Sequence, residues 1–545
     1  MQNNPEQKFA RDIGLFGLTM ISIGSIIGSG WLFGSYLAAQ LAGPAAILCW
    51  IIGGVAIMLI ALTISELGSA FPKAGGMVRY AEYSHGSLAG FMSGWANWLS
   101  IVAVIPSEAE GSIQYLSSWK FEWANNLFHP VTHSLTGTGI AASVVLMLVY
   151  FFINYWTIKF FIRFISVITV FKIIVPILTA ITILYSGFHV SNFTSVGGTF
   201  MPYGLPSVLT AVVTCGIVFS FNGFQSVATL AGEAKRAHIN VPLAMLGGIA
   251  MTMILYLALQ VAFIGAISPV ALLQAGWHGI QFHSPLAELA LLYQLNFIAI
   301  LLYIDSFVSP SGTGIIYVAT SSRMLYALSR NKYMPSFLQV LNPQTKSPRY
   351  AVLGTLVVSF IFMFLFHGWA HIVGVISVAT IIAFIPGPIA LGGLRRVAPD
   401  APRIFKLPFA KVVSPAAFAV ISLLLYWAKW PLNGEMIELL LCTLVVYFYY
   451  QHKQGWPNFA KQLNAAWWLI VYFIGMILIA KFGGQEFGGT GAMSALTANI
   501  ITVVFAILIY WWAVRTAWRT PALEEALADP EVSDLTAELG PAINH

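Results

Sequence analysis

Residues Gly24 to Gly34 read Gly-Ser-Ile-Ile-Gly-Ser-Gly-Trp-Leu-Phe-Gly, four glycines in eleven positions inside a long apolar stretch. Glycine costs a helix about 1 kcal/mol per position relative to alanine, and it lets other groups approach the backbone. Broken backbone at membrane depth survives where it is buried in protein or lines a cavity. Its freed N–H and C=O groups can hold a small polar solute, which makes Ser25, Gly28, Ser29 and Gly30 candidate contacts. The theme recurs from Cys215 to Ser226, where Gly216, Ser220, Asn222, Gly223 and Gln225 interrupt a second apolar run. A packing seam of small residues is the alternative reading of the glycine cluster at 24–34.

Four of the ionisable side chains within apolar segments are candidates for function. Lys172 lies nine positions beyond Arg163, which is about 13 Å along a helix at 1.5 Å per residue. If Arg163 marks the membrane surface, Lys172 lies close to the midplane, where a charge is costly and points to function. A lysine snorkelling to the surface is the alternative, and it would have to cross much of that depth. Glu108 and Glu110 are in the outer part of the third apolar segment, and two positions apart they cannot share a helix face. Asp305 is near the outer part of the eighth. These three acids are candidates for selecting substrate charge, with solvation at the membrane surface as the alternative. They suit a cationic substrate, or a proton entry route, better than an anionic one.

The elements that must position these residues follow from composition. The chain has 545 residues, 58% hydrophobic and 8% charged, with mean hydropathy +0.80, against about 25% charged in soluble domains. This is an all-α integral membrane protein. About fourteen apolar segments are long enough to span a bilayer, at 14–38, 44–66, 87–118, 137–156, 164–187, 205–231, 242–266, 287–322, 350–367, 369–393, 412–429, 433–451, 464–481 and 494–514. Residues 119–136, 267–286 and 323–349 read as the longer loops. With the N-terminus in the cytoplasm, 22 of the 26 basic residues fall inside, only Lys120, Lys429 and Lys481 fall outside, and Lys172 is within a span. This positive-inside asymmetry places both termini in the cytoplasm. The basic residues are therefore topology signals, and no nucleic-acid partner is expected. The polar first thirteen residues and the length of the first segment do not make a cleavable signal peptide. Cys49, Cys215 and Cys442 all lie in apolar segments and suggest neither disulfides nor a metal cluster.

The first and sixth spans are both broken and lie an odd number of spans apart, so they run in opposite directions. Broken helices at corresponding positions of two inverted halves point to a transporter site. The expected organisation is a cytoplasmic segment 1–13, a ten-helix transport core 14–400 with inverted repeats at about 14–187 and 205–393, four accessory helices over 401–515, and a cytoplasmic tail 516–545. From Thr520 onward the tail has six acids and no Lys or Arg, and reads as disordered or as a short surface helix. Phe71 to Tyr80 contains Pro72 and Gly75-Gly76, which make it more than a tight turn.

Several of these stretches, in this order, resemble the amino acid–polyamine–organocation superfamily. They are the break at 24–34, the Pro-x-x-Gly-Gly loop at 71–80, the break at Phe219–Gln225, and Ser322-Arg323-Met324-Leu325-Tyr326-Ala327-Leu328-Ser329-Arg330-Asn331 followed by Met334-Pro335. The resemblance spans about residues 10–400. Gly28 to Gly34 is most similar to a bacterial branch that includes aspartate–proton symporters. The family implies a leucine-transporter-like fold with a 5+5 inverted-repeat core, followed here by extra C-terminal helices.

For an amino acid, N–H groups at Gly28, Ser29 and Gly30 would meet the carboxylate, aided by the helix dipole. Carbonyls near Phe219, Ser220 and Asn222 would meet the ammonium, and Phe219 or Phe221 would shield the bound solute or simply pack the helix. In some proton-coupled relatives a lysine of the fifth span stands in the place of a sodium ion. Lys172 resembles it, with partners expected at the Ile23 or Gly24 backbone and at Ser311 or Thr313. Gln225 stands where some relatives have an acid, and it cannot titrate.

The resemblance implies a proton-coupled amino acid symporter of a bacterial inner membrane, an acidic substrate such as aspartate or glutamate being slightly favoured. Its partners are the amino acid and the lipid bilayer, and its energy comes from the proton gradient with no cofactor. An exchanger, a channel and a membrane-embedded enzyme are the alternatives; the scattered acids form no catalytic cluster, and no phosphate-binding loop signals ATP-driven transport. The pairs His129/His133 and His367/His371 have a metal-compatible spacing without a His-Glu-x-x-His, so no metal is expected.

Overall fold

The computed structural model describes residues 13–528, except 72–75, 130–131, 133, 157, 195, 197, 232–233, 344–346 and 367, and without the side chains of 156–166. His133, His367, most of the segment 1–13, part of the 71–80 loop and the tail beyond 528 lie outside the described residues.

The chain is nearly all helical. The first expected span forms as two pieces, α1 (Leu15–Ile26) and α2 (Gly30–Ala42), followed by α3 (Ala46–Ala70). α4 (Gly76–His85) is a short helix between spans, α5 (Ser87–Leu116) is a long one, and α6 (Gly137–Trp156) and α7 (Ile158–Ser186) complete the first half. The sixth expected span is three pieces, α8 (Gly204–Thr214), α9 (Ile217–Ser220) and α10 (Gln225–Thr229). α11 (Ala237–Ala266) follows, then α12 (Pro269–Gly279), which occupies a stretch that reads as loop in the sequence, and α13 (Pro285–Leu292), a separate piece at the start of the expected eighth span. Pro269 and Pro285 start those two helices, where a missing N–H costs nothing.

α14 (Asn296–Arg330), α15 (Arg349–Leu365), α16 (Trp369–Phe384) and α17 (Pro386–Val397) come next. The rest is α18 (Ala410–Trp427), α19 (Leu432–Cys442), α20 (Leu444–Lys453), α21 (Phe459–Phe482), α22 (Ala495–Thr516) and α23 (Pro521–Leu527). The one sheet among the described residues pairs Phe128–His129 with Ser134–Leu135, antiparallel.

Eleven helical stretches are long and apolar enough to cross a membrane among the described residues. The expected count of about fourteen exceeds this at the broken first and sixth spans and at the 17-residue α15. Large apolar side chains such as Phe152 (65% exposed), Ile254 (70%) and Leu508 (65%) point outward, as a lipid-facing surface requires.

α5 is the axis of the polar interior. It packs against α14 on one side and α16 on another, and its membrane window is 94% buried. α1 packs on α11, α7 and α14, and α2 packs on α8 and α9. Both broken spans therefore meet beside α5.

Candidate functional site

The first break falls at Ile27–Ser29. Ile27 is extended (φ −79°, ψ 95°), and its N–H still reaches Ile23 O at 2.8 Å. The helix resumes at Gly30 without a side-chain cap from Ser29. In the sixth expected span Gly216 is left-handed (φ +80°), α9 lasts four residues, and Gly223 holds φ +123°.

The breaks touch. A Cβ at Gly30 would lie 3.1 Å from Ser220 Cα, and one at Gly223 would lie 3.0 Å from Ile26 N. Tyr256 of α11 donates to the carbonyls of both segments, Ile26 O at 3.4 Å and Ser220 O at 3.2 Å. Ser25 is buried, and its hydroxyl has no hydrogen-bond partner.

Glu108 comes to the first break from α5. Its Oε2 accepts from Ser29 N–H at 2.7 Å, so a carboxylate already caps α2. Glu110, two residues on, accepts from Gly368 N–H at 2.8 Å at the start of α16. The two acids thus face different helix starts, as their spacing requires, and both are about 1% exposed. Trp369 joins those helix starts by donating Nε1–H to Ser29 Oγ at 2.7 Å.

The Trp369 ring lies 4.6 Å from Phe33 and 5.9 Å from Phe219, centroid to centroid. Phe219 is therefore beside the break. Phe221 packs behind it, against Trp50 and Tyr256. Asn222 donates to Thr380 Oγ1 at 3.3 Å and accepts from Gln225 Nε2 at 2.5 Å.

Lys172 is 1% exposed and does not snorkel. Its Nζ donates to Gly24 O at 2.9 Å and to Thr313 Oγ1 at 2.6 Å, tying α7 to α1 and α14. The Thr313 hydroxyl also lies 3.1 Å from Ile27 O. Ser311, the other expected hydroxyl, instead pairs with Tyr150 OH at 3.1 Å. Asp305 is buried and accepts from Ser309 Oγ at 2.8 Å on both oxygens.

Sequence reasoning did not single out Trp369, Tyr256, Gln260, Thr380 or Glu66. Gln260 carried a signal, a lone amide in an apolar run. It accepts from Trp50 Nε1 at 2.8 Å and donates to Ser35 O at 3.1 Å. Glu66 carried one too, a lone acid at the end of its span. It takes Arg395 in a two-pronged pair (2.8 and 2.5 Å), the Leu407 N–H at 2.7 Å, and Arg403 at 3.4 Å. Nothing marks Trp369 or Tyr256 among 17 tryptophans and 21 tyrosines.

An apolar groove of about 450 Å³ between α6 and α15, lined by Val145, Phe152 and Leu356, is far in character from these polar groups. Among the described residues no three His, Cys, Asp or Glu side chains gather as a metal site would need.

Residues 13–449 match the family model described as amino acid permease. The chain belongs to that family. Across 517 residues the permease is 48% identical to the glutamate/serine transporter AimA of Bacillus subtilis, covering 95% of this chain and 96% of that one. It is 33% identical over 521 residues to the aspartate-proton symporter of the same organism, covering 95% and 98%. A branched-chain amino acid permease, BcaP, is 26% identical over 473 residues. The permease is thus a multi-pass membrane transporter of amino acids and not an enzyme, within the amino acid–polyamine–organocation superfamily.

Proposed function

We propose that this permease is a proton-coupled amino acid symporter of a bacterial plasma membrane, with both termini in the cytoplasm and acidic amino acids favoured as substrates. The observation that carries the reading is Lys172, an ammonium in the protein interior bonded to the carbonyl of a broken helix and to the Thr313 hydroxyl. A charged Lys172 holds α1 against α14. A neutral one is a weaker donor, and the helices part more easily. The same break supplies N–H groups at Gly28, Ser29 and Gly30 for the substrate carboxylate. Carbonyls near Phe219, Ser220 and Asn222 take its ammonium, with Ser25 beside them and Phe219 as a shield. Glu110 and Asp305, with Glu108, set the charge of the surroundings. The names of two relatives, a glutamate/serine transporter and an aspartate-proton symporter, support both the substrate class and the coupling. No cofactor is needed, since the gradient supplies the energy.

The test is uptake of labelled glutamate, aspartate and serine into sodium-free proteoliposomes with an inward proton gradient. Accumulation that collapses with a protonophore is the expected result. Uptake only into vesicles preloaded with amino acid would replace symport by exchange.

A further inference from the structure

The carboxylate seat at the start of α2 is already taken. Glu108 Oε2 holds the Ser29 N–H, and the same carboxylate closes the space beside Gly28, where a Cβ would strike Oε1. The Ser29 hydroxyl receives Trp369 Nε1–H at 2.7 Å. In the same broken span Ser25 is 1% exposed and its hydroxyl is unpartnered, a buried polar atom with nothing in the protein to satisfy it. The site is built for one more polar group and one fewer carboxylate.

We propose that Glu108 is a tethered stand-in for the substrate carboxylate: it fills the α2 seat in the empty permease and yields it only after taking a proton. This rests on the amino acid reading above and does not require Lys172 to change charge. Two carboxylates cannot share one helix start without strong repulsion. A proton from solvent adds to a Glu108 carboxylate oxygen and makes a neutral acid. That group loses both the charge-assisted bond to Ser29 N–H and the attraction of the α2 dipole. The substrate carboxylate then takes the N–H groups, and Ser25 gains a partner. When the substrate leaves on the other side, the seat draws the ionised form back and the proton departs.

The ionisable groups whose charges act on Glu108 or are acted on by it are Lys172 of α7, Tyr150 of α6, Tyr256 of α11 and Tyr317 of α14, and Asp305 acts on Lys172. Lys172 is committed to Gly24 and Thr313. Binding of the substrate and of one proton are linked, and linkage is reciprocal.

The experiment is equilibrium binding of labelled glutamate and labelled serine to the purified protein from roughly pH 5.5 to 8.5. In wild type the Kd should weaken as pH rises, approaching about tenfold per pH unit. The slope should be the same for serine, because the shared α-carboxylate is what competes. In Glu108→Gln the slope should vanish, with binding at high pH as tight as wild type at low pH. Glu108→Asp, which draws the acid back from Ser29 while keeping it ionisable, should bind more tightly than wild type at high pH and retain a slope. It also serves if the glutamine variant does not fold.

An unchanged slope in Glu108→Gln overturns the proposal. So does lost binding in both folded variants, which would place Glu108 on the substrate ammonium. Amino acid binding by wild type without pH dependence overturns this proposal and leaves the substrate class standing. Absence of amino acid binding by wild type overturns both.

Discussion

Lys172 is the side chain on which most of the site depends. Removing it leaves Gly24 O with a weak 3.4 Å contact to Thr313 and opens a void between three helices. We expect Lys172→Ala to abolish accumulation against a gradient in proteoliposomes; full retention of uphill uptake would remove the lysine from the coupling. Thr313→Val should be milder, because it deletes one partner of Lys172 and leaves Gly24 O. A single hydrogen bond is worth about 1 kcal/mol, so the initial uptake rate should fall roughly fivefold. That Lys172 does not snorkel to the surface was legible in the sequence, since it lies nine positions beyond Arg163 along one helix. So was the chemistry of Glu108 and Glu110 as acids on opposite faces. What they touch was not legible: Ser29 is 79 positions from Glu108 and Gly368 is 258 from Glu110. Those distances close only through packing, which single-sequence patterns do not carry. Ser311 shows the same limit: two hydroxyls two residues apart are equivalent on paper, and helix rotation alone sends one to Lys172 and the other to Tyr150.

Among the elements, the breaks were the easiest to read, because glycine density is local information. α12 was not, since a short helix inside a polar connection lacks the long apolar run that marks a span. The second break hinges on Gly223, whose φ of +123° excludes ordinary side chains and whose hydrogen-only face admits the Ser25 backbone. We expect Gly223→Ala to lose nearly all uptake and to lower the detergent melting temperature, from strain of about 1–3 kcal/mol.

α4 makes a different prediction. His85, its last residue, sits between the Ser84 hydroxyl (2.8 Å) and Ala513 O (2.9 Å), and burial lowers the imidazole from 6.5 to about 4. The unfolded chain then binds a proton that the folded chain refuses. Stability should therefore fall as pH drops from about 6.5 toward 4, by at most about 3 kcal/mol. Melting curves of wild type and His85→Gln should diverge in that window, the variant being the flatter. Parallel curves would show that another group controls acid stability.

At the scale of the whole molecule, two polar joints are among those that fasten the helices after residue 401 to the core. One is Glu66 with Arg395 and Arg403, linking α3 to α17 and the loop that enters α18. The other is the end of α4, where Ser84 O accepts from Trp518 N–H at 3.0 Å and Tyr83 O accepts from Thr520 Oγ1 at 3.0 Å. α23 covers this joint with Leu523 and Ala526 buried. Its sequence reads as a solvated acidic tail because the acids dominate composition, while the two apolar residues that dock are too few to register. Truncation after Thr516 should raise hydrogen exchange across residues 76–85 by at least tenfold. Each lost bond contributes about 1 kcal/mol, and the uncovered Leu523 contact about 2. Unchanged exchange there would show that α4 holds its shape alone.

That second joint also bears on how the protein is made. Thr520 is 437 positions after Tyr83, and Ala513 is 428 after His85. A ribosome has translated nearly the whole chain before the end of α4 meets the groups that satisfy it. Until then the carbonyls of Tyr83 and Ser84 and the Nε2 of His85 lack the partners that Thr520, Trp518 and Ala513 supply. A nascent chain stalled late in synthesis thus carries an unfinished patch at the end of α4. That patch distinguishes an incomplete permease from a finished one.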